Sequence, residues 1–438
     1  MSEVKRNTAK SQESRWVWAG HEPNMETGAE HFDCLHRDAH GTVLVWEALK
    51  EDKRWTKLAS NDPSVPDFLS GLGGQEDTYV SVNQFDGWIL VRLLRSLRAF
   101  YVDLDGGCSL LSVFDLLEEK HLPSVSLVVF SGRGMHLYWL IDAVPPKALP
   151  VWQRVQDALT EAFAELGADV RAKDCTRMLR LIGTVNSKNG ETVRGLLLKK
   201  WRWTLHDMAN EVFGYREERP KARVWDFQAQ GAKRGRSTPR KLTGSIYERW
   251  YKVYQDLLWM GREYGQIPEG HRDEWLFLSG VALSWFSTAE ALGEEIEDAA
   301  RTFTSGLRET EVSKVVKLVR KRAEAAKRGE KVTWQGKEVD PRYHFRRASL
   351  YKRLKGLIPD AMLPKMRAII PDRLATERKK ERDQARYEDH YTGEGVRVGN
   401  EDKRASARLM RAQGRSFREI AAELGVALGT VHRWCEGA

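Results

Sequence analysis

Apolar and polar positions alternate in GTVLVWEAL (41–49) and RWTKLAS (54–60). That period of two predicts short strands joined by turns through residues 16–60. DTYVSVNQF (77–85) predicts another strand. In WILVRLLRSLR (88–98) the apolar residues recur at helical spacing and predict a helix. AFYVDLDG (99–106) then reads as a buried strand, followed by a helix over SLLSVFDLLEEKHL (109–122). SVSLVVFSGRGMHLYWLIDAV (124–144) predicts a strand, a glycine turn and a returning strand. ALPVWQRVQDALTEAFAELG (148–167) predicts a long amphipathic helix, and RMLRLIGTVNSKNGETVRGLLLKKW (177–201) is again strand-like. These elements make an α/β domain over residues 1–216.

Beyond it the pattern changes. Residues 219–241 carry eight Lys or Arg and one acid, with no apolar period, so residues 217–243 are expected to be a basic linker. Helical spacing then runs through 244–330. Residues 331–400 predict a charged helical connector, and 401–438 a separate small unit. The fold class is therefore α/β followed by all-α domains.

The chain has 438 residues, enough for two or three domains. Its formal net charge of +9 favours a polyanionic partner, and nucleic acid over a membrane surface. No apolar run reaches the length of a membrane span, and the polar N-terminus lacks a signal core; a cytoplasmic protein with no membrane partner is expected. Cys34, Cys108, Cys175 and Cys435 are far apart and form no CxxC pair, which argues against a disulfide framework. His31, Cys34, His36 and His40 offer zinc-competent atoms, but their spacing fits no common zinc module.

Three stretches carry candidate chemistry. Asp103 and Asp105 stand two apart in a strand, so both side chains project to one face. Paired carboxylates repel unless a cation lies between them, and Mg²⁺ or Mn²⁺ accepts such hard oxygen ligands. Solvated aspartates at a strand-end turn are the plain alternative. Next, Ser131, Gly132, Arg133, Gly134 and His136 follow a buried strand. Glycines let backbone N–H groups approach phosphate oxygens, and Ser131, Arg133 and His136 add donors. Last, GADVRAKDCTRMLRLIGTVNSK (167–188) supplies Asp169 and Asp174, then Arg177, Arg180, Asn186 and Lys188. A third carboxylate would complete a metal site, and the cations could hold a triphosphate or template.

In this order the three stretches resemble the archaeo-eukaryotic primase superfamily, over roughly residues 75–200. The resemblance places Asp103 and Asp105 in its DxD motif and Ser131–His136 in its second motif. Asp169 best matches the third motif, with Asp174 as a possible substitute. RMLRLIGTVNSK is similar to a segment of plasmid and phage members, although Ile182-Gly183 stands where Pro-Gly is usual, and Asn83 sits in a comparable strand. Residues 270–324 are similar to the helical domain found C-terminal to such cores.

The resemblance implies an α+β core with an RRM-like catalytic sheet. It implies a primase or primase-polymerase of a plasmid, phage or mobile element, using nucleoside triphosphates on a single-stranded DNA template by two-metal transfer. Asp103, Asp105 and Asp169 would hold Mg²⁺ or Mn²⁺. Ser131, Arg133 and His136 would grip the nucleotide, and Arg180 and Lys188 would touch phosphates. No GxxxxGK[ST] occurs, so a separate helicase is expected.

RSFREIAAELGVALGTVHRW (415–434) has the spacing of a helix-turn-helix. Phe417, Ile420, Ala421 and Leu424 form one apolar face and Gly425 breaks the helix. Val426 and Leu428 are expected to pack the turn, and Val431 and Trp434 to face inward. Thr430, His432 and Arg433 would point toward duplex DNA. Two other readings remain at this stage. A DNA-binding initiator or repressor without catalysis would not need the aspartates. A DxDG phosphohydrolase would need an acidic pair, commonly after glycine, and the chain has no GD or DD dipeptide.

Overall fold

The structure is a computed structural model that describes residues 22–38, 40–48, 53–214, 245–334, 336–390 and 401–435. The expected linker 217–243 lies outside the described residues. One compact unit runs to Phe345 and takes in Arg353–Ala368; Arg346–Lys352 and the chain from Ile369 form a second. The expected catalytic and helical domains thus share the first unit.

The first unit begins with helix α1 (Gly28–His36). Thr27 and Glu30 cap it reciprocally: Thr27 Oγ1 accepts from the Glu30 N–H, and the Glu30 carboxylate accepts from the Thr27 N–H. A helix therefore interrupts what alternation predicted as strands across 16–60. His31 and His36 are buried on α1, His36 Nε2 lies 2.9 Å from the Ser81 carbonyl, and burial lowers both imidazoles to about 3. Among the described residues no group of three or more His, Cys, Asp or Glu is placed to hold a metal. Of the histidine-cysteine cluster, His31 and His36 are core packing, Cys34 is half-buried and His40 is exposed.

The hairpin of β1 (Thr42–Ala48) and β2 (Lys53–Ala59) follows, then α2 (Val65–Gly71), β3 (Thr78–Ser81) and β4 (Gln84–Phe85). Next come β5 (Leu94–Leu104), α3 (Leu110–Glu119), β6 (Leu127–Phe130), β7 (Met135–Val144) and α4 (Leu149–Ala162). After these lie β8 (Met178–Arg180), β9 (Val185–Asn186), β10 (Glu191–Thr192), β11 (Arg194–Leu197) and α5 (Leu205–Phe213). Nine strands form one sheet in the order β11-β6-β7-β5-β4-β1-β3-β8, with β2 also on β1. Its strand pairs are all antiparallel, so the core is the α+β form of the expected class.

Within that sheet, β5-α3-β6-β7-α4 and a short edge at 167–169 make a β-α-β-β-α-β unit. The edge returns beside β5, where Ala168 bridges Leu104. Helix α4 is keyed to β5 by its side chains. Trp152 Nε1 donates to the Ala99 carbonyl at 3.0 Å, and the Gln156 amide exchanges bonds with both backbone groups of Tyr101.

Residues 88–98 are not a helix. A 3₁₀ turn (Val91–Leu93) leads into β5. The spacing of Leu90, Val91, Leu94 and Leu97 mimics a helical face, but the four are buried across the turn and the start of β5. Arg98, buried in mid-strand, is paired instead with main-chain acceptors: it donates to the Leu35 and Arg37 carbonyls at 2.9 and 2.7 Å.

Helices α6 (Ile246–Tyr264), α7 (Arg272–Leu283), α8 (Leu292–Phe303) and α9 (Glu309–Lys327) form a bundle around Trp250, Leu257, Trp275 and Ile296. Helix α8 grips the loop before β5 with three acids. Trp88 Nε1 donates to Glu294 at 2.9 Å, the Val91 N–H to Glu295 at 2.7 Å, and the Arg92 guanidinium pairs with Asp298.

Burial pushes the Glu295 carboxyl up to about 8, so it stays protonated in the folded chain where an unfolded glutamate is ionised. Ionisation thus favours unfolding progressively as pH rises from the ordinary glutamate value of about 4.5 to about 8. Glu295→Gln keeps the acceptor for Val91 and is neutral at all pH. Its thermal midpoint is expected to decline less steeply than wild type between pH 5 and about 8, measured by circular dichroism across that series.

The stretch expected as an all-helical connector begins with a hairpin, β12 (Val332–Trp334) and β13 (Lys337–Val339). Helices α10 (Arg347–Leu354) and α11 (Asp372–His390) follow.

The second unit ends in α12 (Glu401–Ala412), α13 (Phe417–Leu424) and α14 (Leu428–Cys435) around Ala407, Ile420, Val431 and Trp434. Ser416 and Glu419 cap α13, and Gly425 closes it in the left-handed conformation. Two details differ from expectation. Leu428 is exposed rather than packed in the turn, and His432 lies against the Phe417 ring at 3.9 Å between centroids. Arg433 is exposed.

Candidate active site

The end of β5 places Asp103 and Asp105. Asp103 is the direct cross-strand partner of His136 on β7, and His136 Nε2 lies 3.6 Å from Asp103 Oδ1. The 167–169 edge closes the other side: the Asp105 N–H donates to the Gly167 carbonyl at 3.2 Å, and the Asp169 N–H to the Asp103 carbonyl at 2.8 Å. Backbone pairing therefore brings Asp103, Asp105 and Asp169 to one end of the sheet.

Gly134 and Gly167 permit this approach. A Cβ on Gly134 would lie 2.1 Å from the Leu104 carbonyl oxygen, and one on Gly167 would lie 2.6 Å from that of Asp105. Gly167 also has φ of +84°.

The electrostatics follow from crowding. Burial raises Asp103 to about 6, with Arg177 opposing and the Asp169 charge adding to the rise. Asp105 is raised too, by its own desolvation and then by Asp103 and Asp169. His136 is lowered to about 3 by burial and by Arg180, so its imidazole is neutral. Its Nδ1 is buried without a hydrogen-bond partner among the described residues.

Asp174 is committed elsewhere. Its Oδ1 accepts from the Thr176 N–H at 3.0 Å and hydroxyl at 2.5 Å, and its Oδ2 pairs with Arg177 at 3.0 Å. Asp169 Oδ1 is held locally by Arg171, accepting from its N–H at 2.9 Å and pairing with its Nε at 3.6 Å.

Asp103 and Asp105 open on a cleft of about 750 Å³ whose walls include Ser131, Arg133, His136, Arg180 and Lys188. Asn186 supports the turn after β6, donating to the Ser131 carbonyl at 2.6 Å. Arg133 and Lys188 make no side-chain hydrogen bond or ion pair with described residues. Arg180 is anchored, pairing with Asp77 at 2.6 Å and lying 5.0 Å from the Tyr79 ring centre. Asn83 is structural: it donates to the Cys175 carbonyl and accepts from the Arg98 N–H.

Sequence reasoning missed Trp46, Trp55 and Tyr79 on these walls, as well as Thr288 and Glu290 from the helical bundle, and Asp77, which anchors Arg180. The available signal was aromatic residues at the outward positions of otherwise alternating strands.

The clustered hard carboxylates fit a divalent cation in donor chemistry. In this conformation the three aspartates do not converge tightly enough to count as a ligand set among the described residues.

No family model matches the chain. Solved structures it is similar to include domains of a primase-polymerase and of a primase. The AEP domain of the cyanophage S-2L primase-polymerase is 21% identical, covers 42% of this chain and 95% of that chain, and has a TM-score of 0.33. The catalytic domain of primase RepB′ in complex with initiator DNA is 19% identical, covers 40% and 85%, and has a TM-score of 0.28. A more particular relative is a replication protein of Clostridium perfringens, 32% identical over 236 residues. That match covers 51% of this chain and 53% of the relative, about half the length of each.

Proposed function

We propose that the chain is a template-directed nucleotidyltransferase, a primase-polymerase that makes primers on single-stranded DNA. One observation carries this reading. Asp103 and Asp105 at the end of β5 meet the Ser131–His136 hairpin at one cleft, and the backbone of Asp169 pairs beside them, although these residues span 67 positions. Such a cluster suits phosphoryl transfer, in which catalysis rests on positioning and on charge stabilisation.

Asp103, Asp105 and Asp169 are the proposed ligands for Mg²⁺ or Mn²⁺, which would neutralise charge on the reacting phosphates. Arg133 and Lys188, free of ion pairs with described residues, can turn to the triphosphate. Ser131 adds a hydroxyl donor. Neutral His136 offers a ring nitrogen beside Asp103 without adding charge. Arg180, held by Asp77, presents a fixed cation. Substrates are nucleoside triphosphates, and a separate helicase would open the duplex.

The test is primer synthesis on single-stranded DNA with Mg²⁺ or Mn²⁺ and labelled NTPs or dNTPs. Metal-dependent oligonucleotides support the reading. Release of phosphate from a monoester, without oligonucleotides, supports the phosphohydrolase instead.

Duplex DNA is the proposed partner of α13 and α14, with exposed Arg433 reaching the groove. Arg433→Ala is expected to weaken duplex binding and, if it meets a phosphate, to lower the salt slope by about 1. Fluorescence anisotropy over a salt series checks this.

A further inference from the structure

A row of side chains crosses four strands at one level. Trp46 on β1 is the direct cross-strand partner of Trp55 on β2 and of Tyr79 on β3, and Tyr79 is the partner of Arg180 on β8. The order across the sheet is therefore Trp55, Trp46, Tyr79, Arg180, all on one face. Trp46 lies 5.7 Å from Trp55 and 5.0 Å from Tyr79 between ring centres, and Arg180 lies 5.0 Å from the Tyr79 ring centre.

The opposite face of the same strands holds Val43, Val45, Leu58 and Val80, packed with residues of α1 and α2. That face is core. The aromatic face lines the cleft that holds Asp103 and Asp105, and Trp55 remains 39% exposed.

We infer that this row is the seat of the unpaired template strand, whose bases rest on Trp55, Trp46 and Tyr79 as they approach the carboxylates. The inference rests on the primase reading and adds the template's path to it. Rings take bases of any identity, as template reading requires, because every base has a π face. A neighbouring cation suits the backbone, and Arg180 stands at the end of the row whose charge acts on Asp103 and His136. The row thus runs from open solvent at Trp55 to the catalytic end at Arg180.

The experiment uses the full chain and a fluorescein-labelled oligo-dT containing one 5-iodouracil. Irradiation is expected to give adducts on Trp55, Trp46 or Tyr79, mapped by mass spectrometry. The adduct position separates this site from any contact made by α13 and α14. Trp55→Ala is expected to weaken oligonucleotide binding roughly tenfold, within the range for losing one stacked base. Trp55→Phe keeps a ring and is expected to retain most of the affinity.

Adducts confined to other regions, with Trp55→Ala affinity unchanged, would overturn the inference. So would a matching loss of labelled dNTP binding in the absence of oligonucleotide, which would make the row a seat for the incoming base. If aspartate variants abolish synthesis while Trp55→Ala binds template normally, the primase reading stands and this inference falls. If Trp55→Ala loses template while the aspartates prove dispensable for synthesis, the row stands and the primase reading falls.

Discussion

Exchanging Asp103 and Asp105 together for asparagine is expected to lower primer synthesis by about a thousandfold or more, because loss of a bound metal's charge stabilisation removes several kcal/mol. Asparagine keeps the volume of each side chain and removes only the charge. Both residues sit where negative charge is held at a penalty, Asp103 largely buried and Asp105 beside it and Asp169. Removing two charges from that cluster relieves repulsion, so the fold is expected to be retained or slightly stabilised. The pairing of lost activity with retained stability distinguishes a site from a scaffold. Synthesis is measured as labelled oligonucleotide on single-stranded DNA, and stability by thermal unfolding of the same samples. A protein that only binds DNA would lose neither replication nor stability on this exchange.

The parts of the site on continuous stretches were legible in the sequence. The β6–β7 hairpin is a pair of apolar runs around SGRG, and its geometry delivers His136 opposite Asp103. The DxD pair lies at the end of an apolar strand, so its two side chains share a face by periodicity alone. What stayed hidden depends on pairing between distant segments. Trp46, Trp55 and Tyr79 form one row only because β2, β1 and β3 lie side by side.

The choice between Asp169 and Asp174 was equally invisible. What distinguishes them is their contacts: the backbone of Asp169 pairs with Asp103, in a distant segment, while its carboxylate meets Arg171, whereas the carboxylate of Asp174 is held by Thr176 and Arg177. Residues 88–98 were misread because their apolar residues fall in two elements, Leu90 and Val91 in the loop and 3₁₀ turn and Leu94 and Leu97 in β5, and together they imitate a spacing of three and four. The buried Arg98 gives no sign in sequence of the two carbonyls that receive it. In the second unit the helix pattern was read well, yet His432 packs on Phe417 where a groove contact was expected.

Gly134→Ala is expected to be the most damaging single substitution at the site that leaves every charged and polar side chain in place. Gly134 has an ordinary φ, so backbone strain does not set its identity. Space does: the added Cβ would sit 2.1 Å from the Leu104 carbonyl oxygen, which belongs to the main chain and has no rotamer to escape into. The β5 and β7 backbones must therefore part at the level of Leu104 and Met135, next to the Asp103–His136 pair. Overpacking of this kind destabilises by about 1–3 kcal/mol. The larger effect falls on chemistry, because a displacement near 1 Å of positioned groups can lower rate about a hundredfold. Thermal unfolding and primer synthesis on one preparation separate the two effects. The expected result is a modest drop in midpoint with a loss of synthesis far exceeding the fraction unfolded. Wild-type synthesis in this variant would mean that β5 and β7 need not touch at Leu104 for Asp103 and His136 to work together.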